Sequence, residues 1–275
     1  RKGCNRERAA EIPPEDRVNS ISGGTILKTV SLILTTYNSG KNLASTLESI
    51  EKQDYPDIEV NIKDGGSTDD TIKMIKEYKE RSRYPVNWVS RSDEGIYDAM
   101  NQGYALSGGD IIVFFNDFFL CHDAVSKMAA LIEGDTGCVG AHADLVYADG
   151  EKIVRYWKMG PQKSLYAGWM PGHPTLFLKR EIYESYGLYK TEYRIAADYE
   201  FMIRFLKDGR NRLAYLPENI IRMYYGGTST SSTGSYLASL KEGHRALKEN
   251  GLRFAFVIDV LRTLRVLLQF VKRPS

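Results

Sequence analysis

Short apolar segments alternate with helical patterns over residues 30–117, and this alternation constrains the fold more than any other feature of the sequence. The four apolar segments read VSLILTT, IEVNIKD, VNWVS and DIIVFFND, and each is short enough for a buried strand. Between them, apolar residues recur at intervals of three or four, which predicts amphipathic helices. Strands that alternate with helices form βαβ units. We therefore expect an α/β fold with a mostly parallel central sheet flanked by helices.

Polar residues stand where the predicted strands end. Thr35 and Tyr37 lie at the end of the first strand, Asp64 ends the second and Asp117 ends the fourth. Ligands of parallel sheets bind beyond the carboxyl ends of the strands, so we expect these side chains at one ligand-binding edge. Taken alone, each has a simpler explanation, since Asp64 in DGGSTDD is also a typical turn residue.

The charge balance and the cysteines disfavour some classes of protein. With 37 basic and 35 acidic residues the net charge is +2, which gives no reason to expect nucleic acid as a partner. Cys4, Cys121 and Cys138 are far apart, a pattern that favours a reducing compartment over a disulfide or zinc framework. Cys121 and His122 lie close to Asp117 and could ligate a softer metal, but their spacing matches no zinc pattern.

Three regions differ in composition. Residues 1–28 are polar and contain paired prolines and paired glycines, which predicts a flexible extension; they lack the charged and apolar segments of a signal peptide. Residues 29–227 carry the strand and helix patterns, with a hairpin predicted to turn at Asp149-Gly150. Residues 228–275 predict a flexible loop followed by amphipathic helices.

The last segment, residues 252–273, has one polar stripe on an otherwise apolar helical pattern. The stripe consists of Asp259, Arg262, Arg265, Gln269 and Lys272. A helix that spans a bilayer needs about 20 predominantly apolar residues, and the three charges inside this segment argue against spanning. The pattern predicts a helix that lies in the interface of a membrane, or one that packs on the domain or on a second subunit.

Four motifs in order give the chain a family resemblance. They are LTTYN after the first strand, DGGSTDDT after the second, SRSDEGIYDAMNQG at the third helix and AADYEF late in the chain. This series closely resembles family 2 glycosyltransferases of the GT-A fold, from about residue 30 to residue 227. The resemblance implies a Rossmann-like GT-A domain that transfers a sugar from a nucleotide-diphosphate sugar with inversion at the anomeric carbon.

The resemblance also implies residues that bind the donor. Thr35 and Tyr37 would line the nucleotide base, and Asp64 would hydrogen-bond to it. The residues that match the segment flanking the ribose and the donor sugar are Asp93, Glu94, Gly95 and Asp98. Without the resemblance, Asp98 would be interpreted as part of a solvated helix face.

Two further residues would act on the donor sugar and the acceptor. His173 in PGHPTLF would face the sugar or the acceptor, although it could also be a core histidine. Asp198 matches the catalytic base of the family, although aspartate is also favoured at helix N-caps. A carboxylate within hydrogen-bond reach of the attacking hydroxyl accelerates a reaction by about 10² to 10⁴. His142 and Asp144 could reach the acceptor side, with a role in the core or the hairpin as the alternative.

The metal site departs from the family pattern of paired acidic residues, because this chain has FFNDFF. One alignment places the pair on Phe118 and Phe119, which cannot bind metal. The other places it on Asn116 and Asp117, and we favour this one. Asp117 would then bind Mg²⁺ or Mn²⁺, with Asn116 as a neutral partner and with phosphate oxygens and waters as further ligands.

These features lead to one functional expectation and two alternatives. We expect an inverting glycosyltransferase with a glycan or lipid-linked acceptor, active in cell-surface polysaccharide or glycoconjugate synthesis. It would be cytoplasmic and bind the inner face of the membrane peripherally through residues 252–273. The first alternative is a non-catalytic nucleotide-binding relative, which the reduced acidic motif would fit. The second is a nucleotidyltransferase, which the loop TTYNSGKN disfavours because it has a single glycine and no arginine.

Overall fold

The structure, a computed structural model, describes residues 27–150, 152–224 and 233–271. The expected N-terminal extension lies almost wholly outside these ranges, as do the loop after Tyr224 and Lys272 of the C-terminal stripe. In chain order, the elements are β1 (Val30–Thr36), α1 (Leu43–Glu51), β2 (Ile58–Asp64), α2 (Thr71–Arg81), β3 (Val86–Ser90), α3 (Ile96–Tyr104), β4 (Ile111–Phe114), β5 (Phe118–Phe119), α4 (Ala124–Gly134), β6 (Gly140–Asp149), β7 (Lys152–Trp157), β8 (Phe177–Lys179), α5 (Arg180–Tyr186), α6 (Ala197–Leu206), β9 (Leu213–Tyr224), α7 (Thr233–Glu249) and α8 (Ala255–Val271).

The first half of the chain confirms the predicted βαβ pattern. Strands β3, β2, β1 and β4 lie side by side and pair in parallel. Continuous apolar segments suit these strands because helices cover both faces of the sheet. Their carboxyl ends therefore meet at one edge, where the polar residues of the sequence prediction lie.

The fourth strand is shorter than the predicted segment DIIVFFND. Strand β4 ends at Phe114, although the backbone N–H of Phe115 still donates to the carbonyl of Ile33 at 2.8 Å. The next N–H group of β1, that of Thr35, donates to the side chain of Asn116 at 2.8 Å. The side-chain oxygen of Asn116 thus takes the place of a backbone carbonyl in the β1–β4 hydrogen bonds. Asp117 follows in the short segment between β4 and β5.

The second half of the sheet is mixed. The sheet order is β3-β2-β1-β4-β8-β6-β9-β5, with β7 paired to β6. Strand β8 is antiparallel to both β4 and β6, β9 is parallel to β6, and β5 is antiparallel to β9. The backbone N–H of Phe119 in β5 donates to the hydroxyl of Ser49 in α1 at 3.2 Å. The sheet therefore curls, so that β5, its last strand, contacts a helix of the first half of the chain.

The second helix begins three residues after the serine and threonine that follow β2. Serine and threonine are favoured at N-caps, but α2 begins at Thr71 with Asp70 at the N-cap position, so neither Ser67 nor Thr68 caps it. The hydroxyl of Ser67 instead donates to Asp64 at 2.5 Å. The hydroxyl of Thr68 faces Asn38. Both side chains are therefore used to shape the loop after β2.

The C-terminal helices pack on the domain, and three residues of the polar stripe, Asp259, Arg262 and Arg265, face inward. Asp259 lies 2.7 Å from His244 of α7, Arg262 stacks over Tyr199 at 4.3 Å, and Arg265 donates to the carbonyl of Ala167 at 2.9 Å. Leu252, Ala255 and Ile258 are buried in the core, whereas six apolar side chains on and just before α8 point outward, at 42–73% exposure; they are Phe254, Phe256, Val257, Val260, Leu264 and Leu267. Among the residues that the structure describes, no helix has the length and apolar character to cross a bilayer.

Candidate active site

The end of β1 is locked to the chain after β4. Asn116 accepts a hydrogen bond from the backbone N–H of Thr35 and donates one to the Thr35 hydroxyl, each at 2.8 Å. Both ends of the Asn116 amide therefore face β1, and Asp117 alone supplies a carboxylate at this point. A cavity of about 340 Å³ lies beside the lock, bounded by the loop that follows β1, by α1 and by Asn116.

Asp64 is fully buried and holds the loop after β2. Its carboxylate accepts hydrogen bonds from the backbone N–H groups of Gly66 and Ser67 and from the hydroxyls of Thr36, Ser67 and Ser90. Burial opposes ionisation of this group, but these hydrogen bonds outweigh it and keep the pKa of Asp64 below its usual value. The geometry supports a role in shaping the loop.

Glycine suits the position after Asp64 because the backbone there passes close to two side chains. A Cβ atom at Gly65 would lie 3.0 Å from a carboxylate oxygen of Asp93 and 3.2 Å from the ring of Tyr37. The ring of Tyr37 is 66% exposed and has room to stack on a planar ligand. We call the space bounded by Tyr37, Gly65 and Asp93 the base slot.

A buried lysine positions Asp93. The ammonium group of Lys63 has no exposed surface and donates to Asp93 at 2.7 Å, and also to the carbonyls of Asp64 and Arg91 at 2.9 and 2.7 Å. A charge buried in this way requires a partner and full hydrogen bonding, and Lys63 has both. The bond ties the end of β2 to the loop that precedes α3.

The rest of the SDEGIYD segment forms the start of α3. The backbone N–H of Glu94 donates to Asp98 at 3.0 Å, and the amide of Gln102 donates to the same oxygen at 2.7 Å. Gly95 has a φ of 126°, which a residue with a side chain rarely adopts. Asp98 thus acts within the helix, whereas Glu94 is exposed beside the base slot.

Asp117 is a desolvated carboxylate. It accepts a hydrogen bond from the backbone N–H of Tyr224, and burial raises its pKa to about 7. Such a group favours a cation beside it, so Asp117 fits Mg²⁺ or Mn²⁺ whose remaining ligands are phosphate oxygens and waters. Among the described residues no group of three or more His, Cys, Asp or Glu could hold a metal, so the softer-metal interpretation of Cys121 and His122 gains no support.

Asp198 lies in the first turn of α6 and is oriented from two sides. The hydroxyl of Tyr97 lies 2.9 Å from its carboxylate and 2.7 Å from the carbonyl of Ile195. The chain just before α6 is held by Glu242 of α7, which accepts hydrogen bonds from the backbone N–H groups of three consecutive residues, Arg194, Ile195 and Ala196. Asp198 is not the N-cap residue, which is Ala196.

His173 lies at the aromatic wall of the same region. Its Nε2 lies 2.8 Å from the Tyr189 hydroxyl, and its ring stacks on Phe114 at the end of β4 with a centroid distance of 5.9 Å. Burial lowers the pKa of His173, while the nearby Asp198 carboxylate opposes this. A neutral imidazole close to Asp198 can therefore donate or accept a hydrogen bond.

The structure adds Tyr147 of β6, which sequence reasoning missed. Burial raises its pKa to about 12; the guanidinium of Arg155 opposes this rise, and the carboxylates of Asp117 and Asp198 both add to it. The Tyr147 phenol therefore lies within electrostatic reach of both carboxylates. The predicted hairpin was the available signal, because it pairs Tyr147 with Arg155 in register.

His142 and Asp144 belong to the core. Asp144 accepts hydrogen bonds from the backbone N–H of Met159 and from the hydroxyl of Tyr215, both at 2.8 Å. The His142 ring is fully buried and packs against Tyr215 and Trp169. The core role that we gave as the alternative for these two residues is the one that the structure supports.

The fold and the site together define an α/β protein whose ligand-binding edge carries two separate carboxylates. The model of glycosyl transferase family 2 matches residues 31–205, and the chain belongs to this family. It is therefore a glycosyltransferase, as its motifs predicted.

Relatives agree with this assignment. A PGL/p-HBAD biosynthesis glycosyltransferase of Mycobacterium bovis is 30% identical over 181 residues, which cover 63% of this chain and 68% of the relative. An uncharacterized glycosyltransferase of Mycobacterium tuberculosis is 31% identical over 189 residues, which cover 66% of this chain and 70% of the relative.

Solved structures show the same GT-A fold. TarS 1–349 of S. aureus in complex with UDP-GlcNAc has a TM-score of 0.66 at 20% identity, covering 86% of this chain and 72% of that one. The mannosyltransferase PcManGT from Pyrobaculum calidifontis, in complex with GDP-Man and Mn²⁺, has a TM-score of 0.65 at 18% identity, covering 89% and 72%. The chain spans 43% of a longer TarS chain. The predicted α/β architecture, with C-terminal amphipathic helices, is thus confirmed.

Proposed function

We propose that this glycosyltransferase moves a sugar, with inversion, from a nucleotide-diphosphate sugar to a hydroxyl of a glycan or lipid-linked acceptor. The observation that carries the proposal is the pair of separate carboxylates at the ligand-binding edge: Asp117, which follows β4, and Asp198, whose carboxylate lies 2.9 Å from the Tyr97 hydroxyl of α3. The carboxylate of Asp117 is desolvated and suited to a cation, and that of Asp198 is oriented by the hydroxyl of Tyr97. This is the division of roles that displacement of a diphosphate by a hydroxyl requires.

The donor nucleotide would occupy the base slot. Its base would stack on Tyr37 beside Gly65, whose missing side chain lets the Tyr37 ring and the Asp93 carboxylate lie close to the backbone. The ribose would lie beside Asp93, which Lys63 holds in place, and beside the exposed Glu94. Thr35 stays fixed to Asn116 and would approach the nucleotide from the β1 side.

Asp117 would hold Mg²⁺ or Mn²⁺ against the diphosphate. The metal supplies positive charge that stabilises the departing nucleoside diphosphate. The amide of Asn116 is engaged with Thr35, so Asp117 is the carboxylate that binds the ion.

Asp198 would accept the proton of the attacking hydroxyl. In an inverting displacement the acceptor approaches the anomeric carbon from the side opposite to the diphosphate. A general base at that point contributes about 10² to 10⁴ in rate, which corresponds to about 3 to 5 kcal/mol of barrier. The hydroxyl of Tyr97 fixes the carboxylate, and His173 lies close enough to bind a sugar hydroxyl beside it.

The first experiment is calorimetric titration of UDP, GDP, dTDP and CMP, each with and without Mn²⁺. We expect one nucleoside diphosphate to bind, with an affinity that Mn²⁺ increases in the wild type but not in Asp117→Asn. Donor turnover should then fall at least 100-fold in Asp198→Asn while nucleotide affinity stays unchanged. Turnover that survives Asp198→Asn would contradict the assignment of the base.

A non-catalytic relative is the second candidate, because the Asn116 amide is committed to Thr35 and leaves one carboxylate for the metal. Such a protein would bind a nucleotide but would neither hydrolyse a nucleotide sugar nor transfer its sugar. The same titrations followed by a turnover assay with UDP-GlcNAc, UDP-glucose and GDP-mannose separate the two candidates. The nucleotidyltransferase alternative is not supported, since the chain belongs to glycosyl transferase family 2.

The outward apolar stripe of α8 supports a membrane surface as a partner. Phe256, Val260, Leu264 and Leu267 recur every three or four residues and are 72%, 42%, 50% and 56% exposed. The polar side chains of Asp259 and Arg265 contact the domain, so the apolar side chains are the ones that face outward. This helix would lie in the interface of the inner leaflet at the cytoplasmic face and bring the enzyme to a lipid-linked acceptor for cell-surface polysaccharide or glycoconjugate synthesis.

A liposome flotation assay tests the membrane contact. The double variant Val260→Lys, Leu264→Lys should lose binding to vesicles of mixed neutral and anionic lipid. The matched comparison is between the single variants Leu264→Lys and Leu27→Lys, each of which adds one positive charge, at residues that are 50% and 42% exposed. Equal binding of the two single variants to the vesicles would show that this stripe does not contact the membrane. Dimerisation without lipid, measured by sedimentation and lost in the double variant, would show that a second copy covers it.

A further inference from the structure

Asn38, the residue after Tyr37, has a backbone conformation that few side chains adopt. Its φ is 47°, in the left-handed region, and it lies in the bend that follows β1. Asparagine enters this region more readily than most residues, because its short polar side chain can hydrogen-bond locally. Since Asn38 is bonded directly to Tyr37, its conformation helps to set the direction in which the Tyr37 ring projects.

The side chain and the backbone of Asn38 both bind the loop after β2. The side-chain oxygen of Asn38 accepts hydrogen bonds from the backbone N–H of Thr68 at 2.9 Å and from the Thr68 hydroxyl at 3.4 Å. Its backbone N–H donates to the Ser67 hydroxyl at 2.8 Å, and that hydroxyl donates in turn to Asp64. Asn38 therefore joins the loop that carries Tyr37 to the loop that Asp64 holds.

The two residues after Asn38 continue the same contact. The backbone N–H of Ser39 donates to the hydroxyl of Thr71 at 2.8 Å. The backbone N–H of Gly40 donates to the carboxylate of Asp69 at 3.1 Å. Three consecutive N–H groups of the first loop thus end on side chains of one segment, residues 67–71. The two loops that form the base slot are therefore fastened to each other by the protein itself.

The ring of Tyr37 depends on this backbone for its direction. The ring is 66% exposed, so packing alone fixes it only weakly. The backbone N–H of Tyr37 donates to the hydroxyl of Ser39 at 3.2 Å, which ties the residue into the same loop. A side chain that is already placed loses less conformational entropy when it stacks on a ligand than one that is free to turn. The loop therefore bears on how tightly a base can stack.

We propose that Asn38 is a positioning residue for the donor: its left-handed backbone and its bonds to Ser67 and Thr68 hold Tyr37 as a preformed surface for the nucleotide base. The inference rests on the proposed base slot, and it assigns part of the donor affinity to a residue that need not touch the nucleotide. Stacking of a base on an aromatic ring contributes roughly 10- to 100-fold in affinity. A Tyr37 ring that is no longer held in place should lose most of this contribution.

The test isolates the part of the affinity that comes from the base. Calorimetry with Mn²⁺ compares UDP and GDP with ribose 5-diphosphate, which lacks a base, and the ratio of dissociation constants measures the contribution of the base. We expect a ratio of about 10 or more for the preferred nucleotide in the wild type. Tyr37→Ala should lower the ratio to about 1. Asn38→Ala should lower it about 5-fold or more, because alanine disfavours the left-handed backbone and offers no oxygen to Thr68.

Two conservative variants separate the backbone of Asn38 from its side chain. Asn38→Gly keeps the left-handed backbone but loses the oxygen that Thr68 binds, so the ratio should fall only part of the way. Asn38→Asp keeps both features and should keep the wild-type ratio, since its added charge affects both probes alike. In the double variant Tyr37→Ala, Asn38→Ala the ratio should equal that of Tyr37→Ala alone, because residues that act through one contact are not additive.

Asn87→Ala is the matched control, because Asn87 is also exposed and its side chain also bonds a neighbouring segment, donating to Asn61 at 3.0 Å. It should keep the wild-type ratio, and thermal unfolding should show that the variants are folded. A wild-type ratio in Asn38→Ala, or a ratio in the double variant below that of Tyr37→Ala, would overturn the inference. If UDP and GDP bind the wild type no better than ribose 5-diphosphate, the base slot itself is wrong, and the inference fails with that part of the proposed function.

Discussion

Asp64 allows a direct test of whether this carboxylate shapes the donor loop or contacts the nucleotide base itself. Its oxygens are the acceptors for the buried N–H groups of Gly66 and Ser67, and three hydroxyls also donate to it. Asp64→Ala leaves the two N–H groups without an acceptor, at about 2 kcal/mol each, while the hydroxyls can turn to other partners. We expect the free energy of unfolding to fall by about 4 kcal/mol.

Asp64→Asn is the milder change. It keeps one oxygen for the two N–H groups but removes the negative charge, so each bond loses about 1 kcal/mol of charge assistance. We expect a loss of about 2 kcal/mol at pH 7. Since the folded-state pKa of Asp64 is lowered, the stability it contributes is present above the unfolded pKa and is lost as the pH falls through the folded value. The difference between wild type and Asp64→Asn should therefore narrow in acid.

Thermal unfolding of the three proteins measures these losses, and calorimetry measures their nucleotide affinity. For a chain of 275 residues the entropy of unfolding is about 0.6 kcal/mol per kelvin, so the alanine variant should melt about 7 °C below the wild type. Both variants should bind all nucleotides more weakly, because the loop that forms the base slot loosens. If Asp64→Asn melts at the wild-type temperature but changes the preference between UDP and GDP, which differ only in the base, then the carboxylate contacts the base and the reasoning fails.

Three further predictions concern Lys63, His142 and Glu242. Lys63→Met should weaken nucleotide binding about 10-fold in calorimetry, because Asp93 loses its partner; equal affinity would refute the link. Burial lowers the pKa of His142 to about 4. The free energy of unfolding, measured by urea titration, should therefore fall by up to about 3 kcal/mol as the pH falls from 6.5 towards 4. In His142→Gln the free energy of unfolding should depend less on pH over this range. Glu242→Gln should lower turnover several-fold with nucleotide affinity intact, because the Asp198 loop loses a charged acceptor; unchanged turnover would show that α7 does not position the base.

The sequence predicted the features that depend on local pattern. The first four strands, the polar edge at their ends and the hairpin at Asp149-Gly150 follow from apolar runs and turn residues that are close together in the chain. These patterns need no knowledge of distant partners, which is why the prediction of the α/β fold held.

The features that the sequence did not predict depend on contacts between distant residues. The lock between Thr35 and Asn116 joins positions 81 residues apart and ends β4 early. The proximity of Tyr147 to both carboxylates results from the curl of the sheet, which no local pattern encodes. Periodicity revealed the two faces of α8 but not which one packs inward, because Tyr199 and His244, which bind the polar face, belong to other elements.

The bonds of Glu242 affect how a minimal catalytic fragment can be cut from this chain. The family match ends at residue 205, yet the backbone that leads to the proposed base is fastened by a side chain 37 positions further on. A fragment that ends after β9, at Tyr224, would keep the sheet and all the donor-binding loops and lose that fastening. It would retain nucleotide binding with little transfer, and a shortened enzyme of this kind would be mistaken for an inactive relative.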